Sequence, residues 1–270
     1  MQTCQMKPCY KIFDMNLHPT VDGTFKDYKL NIPASLNTYY NSKYFEVIGG
    51  NMVGLPEIGG YSHDKFYEML NDQLLKPDLF CSVPYLGEVT NHQNVIYERK
   101  KTICLKVHPR FLNMSMEKIN WKVAAKICKK YNIALGICTF YDKIAKPADV
   151  RNSFKKIIDE LLNYKIKLIF FHSFLDQFNY FYDRYGSNSN ILFDTSFSLI
   201  RCDSETVKSY CSVINANASN ICFGTDFPDY NLDDHLQIVD FIQDKTSKNS
   251  MAKYLSGNAL NFLGSIVNEK

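Results

Sequence analysis

The 270-residue sequence has no apolar run long enough to cross a bilayer, and its opening residues, MQTCQMKPCYK, hold no apolar core of signal-peptide length. A soluble, cytoplasmic chain without a membrane partner is therefore expected. Its nine cysteines include no CxxC pair, and Cys81, Cys104 and Cys222 sit inside apolar runs, so reduced core thiols are expected and a disulfide scaffold is not. Lys and Arg total 31 against 28 Asp and Glu, scattered without the basic stripe that a phosphate backbone demands, which argues against nucleic acid as a partner. No GxGxxG or Walker loop follows any apolar run, which weighs against a nucleotide-binding sheet. No low-complexity linker divides the chain.

What is present is a repeated alternation. The chain is 46% hydrophobic, enough at this length for one large core. Short apolar runs predict strands at Lys11–Asp14, Tyr44–Ile48, Leu79–Val83, Ile103–Val107, Ile133–Cys138, Ile166–Phe171, Ile191–Asp194 and Ile221–Gly224. Between them, spacing predicts helices over Ser35–Ser42, His63–Leu75, Met116–Tyr131, Val150–Tyr164, Phe174–Tyr185 and Ser204–Asn215. Two more follow the last strand, Asp233–Gln243 and Met251–Leu263. Residues 20–33 and 53–62 read as loops. Eight strands mostly separated by helices predict an α/β chain folded as one (β/α)₈ TIM barrel over residues 1–270, with a doubly wound open sheet as the alternative.

In such a barrel the C-terminal ends of the strands collect the chemistry. The stretch Ile221–Pro228, ICFGTDFP, ends a strand abruptly and puts Asp226 at its tip, where it either acts chemically or caps the next turn. Residues two apart share a strand face, so Asp14, Asn16 and His18 are expected to point into one mouth, as are Lys106 and His108. Cys138 and His172 occupy the tips of strands five and six. Burying so many ionisable groups is costly unless they bind something or one another.

The fragments FDMNLHP, LKVHPRF, IFFHSF, ILFDTS, CFGTDFP and SGNALNFLG, in this order, resemble the metal-dependent hydrolases of the amidohydrolase superfamily, in particular its amidohydrolase-2 branch. The resemblance spans nearly the whole chain. It implies a His-x-His pair on strand one, a His on strand five, a His on strand six and an Asp on strand eight. His18, His172 and Asp226 match that pattern; Asn16 and Cys138 stand where two histidines belong. The resemblance thus implies a degenerate site in which His18, Cys138 and Asp226 hold one divalent metal, zinc by its preference for these donors, with His172 close by. Some relatives hydrolyse lactones without a metal.

With a metal, the implied chemistry is attack of activated water on a carbonyl, with Asp226 as general base and His172 stabilising or protonating the developing oxyanion. Asn16, Lys106, His108 and Arg110 would line the substrate side, the cations holding a carboxylate or the oxyanion. Without a metal, Lys106 and Arg110 carry more of that work. The implied substrate is a small amide, lactone or carboxylic acid, decarboxylation being a family variant, and a homo-oligomer is compatible with this reading. The competing class is a non-catalytic barrel that binds a ligand or partner chain.

Overall fold

The computed structural model describes residues 9–19, 24–25, 28–29, 39–40, 42–54, 68, 79–85, 101–109, 112, 115–140 and 147–267. The expected helix His63–Leu75, most of Ser35–Ser42, the loops 20–33 and 53–62 and the candidate Arg110 lie outside them, wholly or in the main.

Eight parallel strands follow one another around a single sheet: β1 (Tyr10–Leu17), β2 (Phe45–Val53), β3 (Leu79–Pro84), β4 (Thr102–Val107), β5 (Ala134–Cys138), β6 (Leu168–Phe171), β7 (Ile191–Asp194) and β8 (Ile221–Cys222). The last strand returns to the first. Met15 N donates to Phe223 O at 3.1 Å, Asp226 N to Asn16 O at 3.0 Å and His18 N to Phe227 O at 2.7 Å, closing a TIM barrel.

Two strands differ from the sequence expectation for a local reason. β2 runs on through Gly49 and Gly50, because at Gly50 the absent Cβ would lie only 3.0 Å from the Asp14 carbonyl oxygen. This glycine serves close strand approach, not a turn. In β1 the pairing with β2 slips between Asp14 and Leu17, a bulge that re-aims the side chains around it.

Around the barrel stand helices α1 (Trp121–Tyr131), α2 (Pro147–Leu162), α3 (Phe178–Tyr185), α4 (Ser204–Asn215), α5 (Leu236–Lys245), α6 (Lys248–Ala252) and α7 (Asn258–Val267), with shorter helical turns between them and a small two-stranded sheet, Thr24–Phe25 with Tyr28–Lys29. Asn120 caps α1 by accepting from Val123 N, and Asp203 caps α4 by accepting from Thr206 N. The rings of α3 are packing groups: Phe178 stacks on Tyr210 at 3.9 Å and lies edge-on to Phe193 of β7.

The core has two parts. One lies between barrel and helices; the other fills the barrel with Phe13, Met15, Ile103, Cys104, Ala134, Ile169, Phe171, Leu192 and Cys222. Ala259, Phe262, Leu263 and Ile266 of α7 join the inner cluster and floor the barrel at the end where the strands begin. Chemistry is left the opposite end. Among the described residues no helix is long and apolar enough to cross a membrane.

Candidate active site

The strand tips place a connected polar cluster at the barrel's C-terminal end, every member largely buried. At its centre is Lys106, whose stem rises inside β4 and is 1% exposed. Its Nζ donates to Asn16 Oδ1 at 2.8 Å and to His18 Nε2 at 3.3 Å, and lies 4.0 Å from the centroid of the Phe171 ring. The Asn16 amide also uses its other end: Nδ2 donates to Asp226 Oδ1 at 2.7 Å and to Ser196 Oγ at 2.9 Å. An amide can face a cation and an anion at once, which explains what Asn does at this position.

His18 Nδ1 lies 3.1 Å from Val53 O, so this nitrogen carries the proton and Nε2 offers a lone pair to Lys106. Burial and the Lys106 charge lower His18 to about 4 despite Asp226 beside it. The 3.3 Å approach of His18 Nε2 to Asp226 Oδ1 is therefore not an ion pair at neutral pH. For Lys106, burial lowers the ammonium, opposed by Cys138, Asp226 and Asp194. Burial would raise Asp226, but the charges of His172 and Lys106 outweigh it and hold the carboxylate well below its usual range.

The second half of the cluster sits on β5 to β7. Cys138 pairs with Phe171 across the ladder, and His172, the next residue, leaves the strand with a positive φ; the Cys138 thiol and the His172 ring influence one another's charge. His172 Nδ1 lies 3.1 Å from Ser196 O and 3.2 Å from Ser196 Oγ. Burial opposes charge on His172, yet Asp226 and Cys138 raise it to about 9. Burial likewise opposes the Cys138 thiolate, but the charges of His172 and Lys106 lower it. Ser196 Oγ in turn donates to Asp194 Oδ2, and Gly224 is the residue that lets Asp194 fit: a Cβ there would lie 2.2 Å from Asp194 Oδ1.

Backbone strain gathers at the same end. Nine described non-glycine residues have positive φ; Asn132, Lys165 and Asn217 follow helices, whereas His172 to Leu175, Phe197 and Asp226 surround the mouth. This run of left-handed residues is why α3 begins at Phe178 and not at the expected Phe174. Half-buried Phe140 and Phe197 flank the His172 ring at 6.4 and 5.8 Å, and Tyr230 extends the wall.

Of the residues singled out in the sequence, Asn16, His18, Lys106, Cys138, His172 and Asp226 thus lie in one network, and His108 adjoins it with its ring 6.3 Å from that of His18. Asp14 does not share it directly. Its carboxylate accepts from Tyr39 OH at 2.5 Å, Thr225 Oγ1 at 2.6 Å, and Thr225 N and Asn16 N at 3.0 Å each, along the seam between β1 and β8. Ser196 and Asp194 were not singled out, although their place in ILFDTS, at and just past a strand end, carries the same signal as the other tips. Nothing in the sequence marks Tyr39.

The residues present do not fit a resident zinc ion. Among the described residues no three His, Cys, Asp or Glu side chains gather to hold a metal, and the expected triad is divided: His18 Nε2, the nitrogen nearest Asp226, receives the Lys106 ammonium, while Cys138 interacts with His172.

No family model and no curated protein matches this chain. Among solved structures it is similar to an uncharacterised TIM-barrel protein of Bordetella bronchiseptica, at TM-score 0.70 and 13% identity over 95% of this chain and 99% of that one. It is also similar to dihydroorotase from Campylobacter jejuni (TM-score 0.61, 13% identity, 94% of this chain and 83% of that one). D-hydantoinase from a Bacillus species gives TM-score 0.63 at 10% identity, over 94% and 70% of the two chains. These likenesses establish the barrel fold.

Proposed function

We propose that this barrel is a hydrolase acting on a small carbonyl compound, a lactone, amide or other carboxylic-acid derivative, with charge supplied by its own side chains in place of a metal. The observation that carries the reading is the Lys106 ammonium, set inside the barrel between Asn16 and His18 beside Asp226. A buried, oriented cation at that point polarises a carbonyl and stabilises the oxygen as it becomes negative. Asp226 stays ionised, keeps His172 protonated and takes the proton of the attacking water. His172 protonates the leaving group. The likeness in fold to enzymes named dihydroorotase and D-hydantoinase accords with this class.

The test is hydrolysis of a panel of small lactones, cyclic amides and esters by protein stripped with chelator. Turnover is expected to survive chelation, and Lys106→Met is expected to lose ~10²–10³-fold in kcat, the scale of one oxyanion donor. Activity that vanishes on chelation and returns with zinc would overturn the metal-free reading.

A further inference from the structure

Arg201 is a charge at the mouth that the reaction proposed above does not use. It ends the short helical turn Ser198–Arg201 that follows β7, and it is exposed where Lys106 and His172 are buried. An exposed arginine ordinarily swings through water; this one is held. Its Nε donates to Tyr230 Oη, and its guanidinium carbon lies 5.1 Å from the centroid of the Phe197 ring and 5.8 Å from that of Tyr230. Both rings are fixed in turn. Phe197 stands edge-on to Phe140 at 5.1 Å, on a left-handed backbone, φ 65°, that a bulky residue adopts only at a cost. Tyr230 stands edge-on to the buried ring of His235 at 6.1 Å. Among the described residues no carboxylate lies within ion-pair distance of Arg201 and neither Nη meets an acceptor, whereas Arg184 pairs with Asp159 at 3.1 Å. An oriented guanidinium whose outer edge is open matches a carboxylate through two parallel hydrogen bonds. Its place also sets a span. The Phe197 ring stands between, 5.8 Å from the His172 ring on one side and 5.1 Å from the guanidinium carbon on the other.

We propose that Arg201 determines specificity by holding a carboxylate of the substrate, whose flat, unsaturated body lies along Phe197 with the reacting carbonyl at the His172 end. This rests on the hydrolase reading and says which of the small carbonyl compounds the mouth selects. The rings favour a carboxylate over a phosphate, because a carboxylate conjugated with a flat body stays in the plane of that body and of the guanidinium edge, and a tetrahedral phosphate does not. Arg201 grips the end of the substrate remote from the bond that breaks. Its contribution is therefore the same before and during the reaction, and it falls on KM more than on kcat.

Two measurements decide it. The first needs no turnover: benzoate, benzamide and phenyl phosphate are titrated by calorimetry into wild type, Arg201→Met, Arg201→Lys and, as a control for the loss of a surface charge, Arg184→Met. Wild type is expected to bind benzoate ~10–100-fold more tightly than benzamide, the scale of a charged, two-pronged hydrogen bond. Arg201→Met is expected to lose that margin, Arg201→Lys to keep only part of it because an ammonium offers no fork, and Arg184→Met to match wild type. No benzoate binding by wild type, equal benzoate binding by wild type and Arg201→Met, or tighter binding of phenyl phosphate than of benzoate would overturn the proposal. The second uses whichever lactone or cyclic amide of the panel is hydrolysed, as its ring carboxylate and as the matching carboxamide. The ratio of their kcat/KM values is expected to fall ~10–100-fold in Arg201→Met, mainly through KM. An unchanged ratio would overturn the proposal while leaving the hydrolase reading intact. Benzoate binding that depends on Arg201, in a protein that hydrolyses nothing on the panel, would overturn the hydrolase reading and leave a carboxylate-binding mouth.

Discussion

Asp14, on β1, and Asp226, just past β8, are both buried carboxylates at the closing seam, and their surroundings send them in opposite directions. Asp14 accepts four hydrogen bonds, all from neutral groups, and burial still raises it to about 7. Asp226 has a neutral amide donor in Asn16 at 2.7 Å, but cations stand around it, and burial is overruled. Neutral donors fix where a carboxylate sits without keeping it charged. Nearby positive charge keeps it charged. The first acid latches the barrel; the second serves the chemistry proposed for the mouth.

The sharpest way to break that contrast is Asp226→Asn, which keeps the shape and removes the charge. Turnover on whichever panel substrate is hydrolysed should fall ~10²–10⁴-fold, with the melting temperature little changed. A variant that melts early yet turns over normally would make Asp226 a second latch. Asp14→Asn should do the reverse, costing about 1–3 kcal/mol in denaturant unfolding because an amide now faces donors, with unchanged turnover per folded molecule.

That cost should also depend on pH. The folded-state pKa of Asp14, about 7, lies above its ordinary value of 3.8, so folding takes up a proton between the two. The stability this residue contributes is fully present below about pH 4 and is lost as pH rises through about 7. The gap between wild type and Asp14→Asn should therefore narrow from pH 5 to pH 8; a gap that stays constant over that range would place an already charged Asp14 in the folded barrel. The smallest effect expected is that of Thr225→Val, which removes one of the four donors to Asp14 and should cost about 1 kcal/mol by denaturant titration, with kcat unchanged.

How far these two acids could be told apart in the sequence depended on what local pattern encodes. The barrel was legible because each strand is a short apolar run ended by a polar tip, and all eight runs match strands in chain order. The tips also named Asn16, His18, Lys106, Cys138, His172 and Asp226. Their pairing was not legible. Alternation along β1 put Asp14 and Asn16 on one face, but the bulge between Asp14 and Leu17 separates their tasks, and a bulge leaves no mark in the apolar pattern. Partners such as Tyr39 and Ser196 come from distant segments that only the closed barrel brings near. The left-handed run His172 to Leu175 was hidden for another reason: it contains no glycine, the residue by which such backbone is usually recognised.

The helix α7 that floors the barrel has a consequence for the order of events when the chain is made. Neighbouring strands pair with their immediate successors, so most of the sheet can zip together as it leaves the ribosome. The inner face, from Phe13 and Met15 round to Leu192 and Cys222, stays wet until Ala259, Phe262, Leu263 and Ile266 have emerged to cover it. The bond from Asn16 to Asp226 spans 210 residues and belongs to the same late step. A nascent chain can thus carry every strand and still lack the cluster at the mouth, and the onset of activity would time the moment at which the barrel closes.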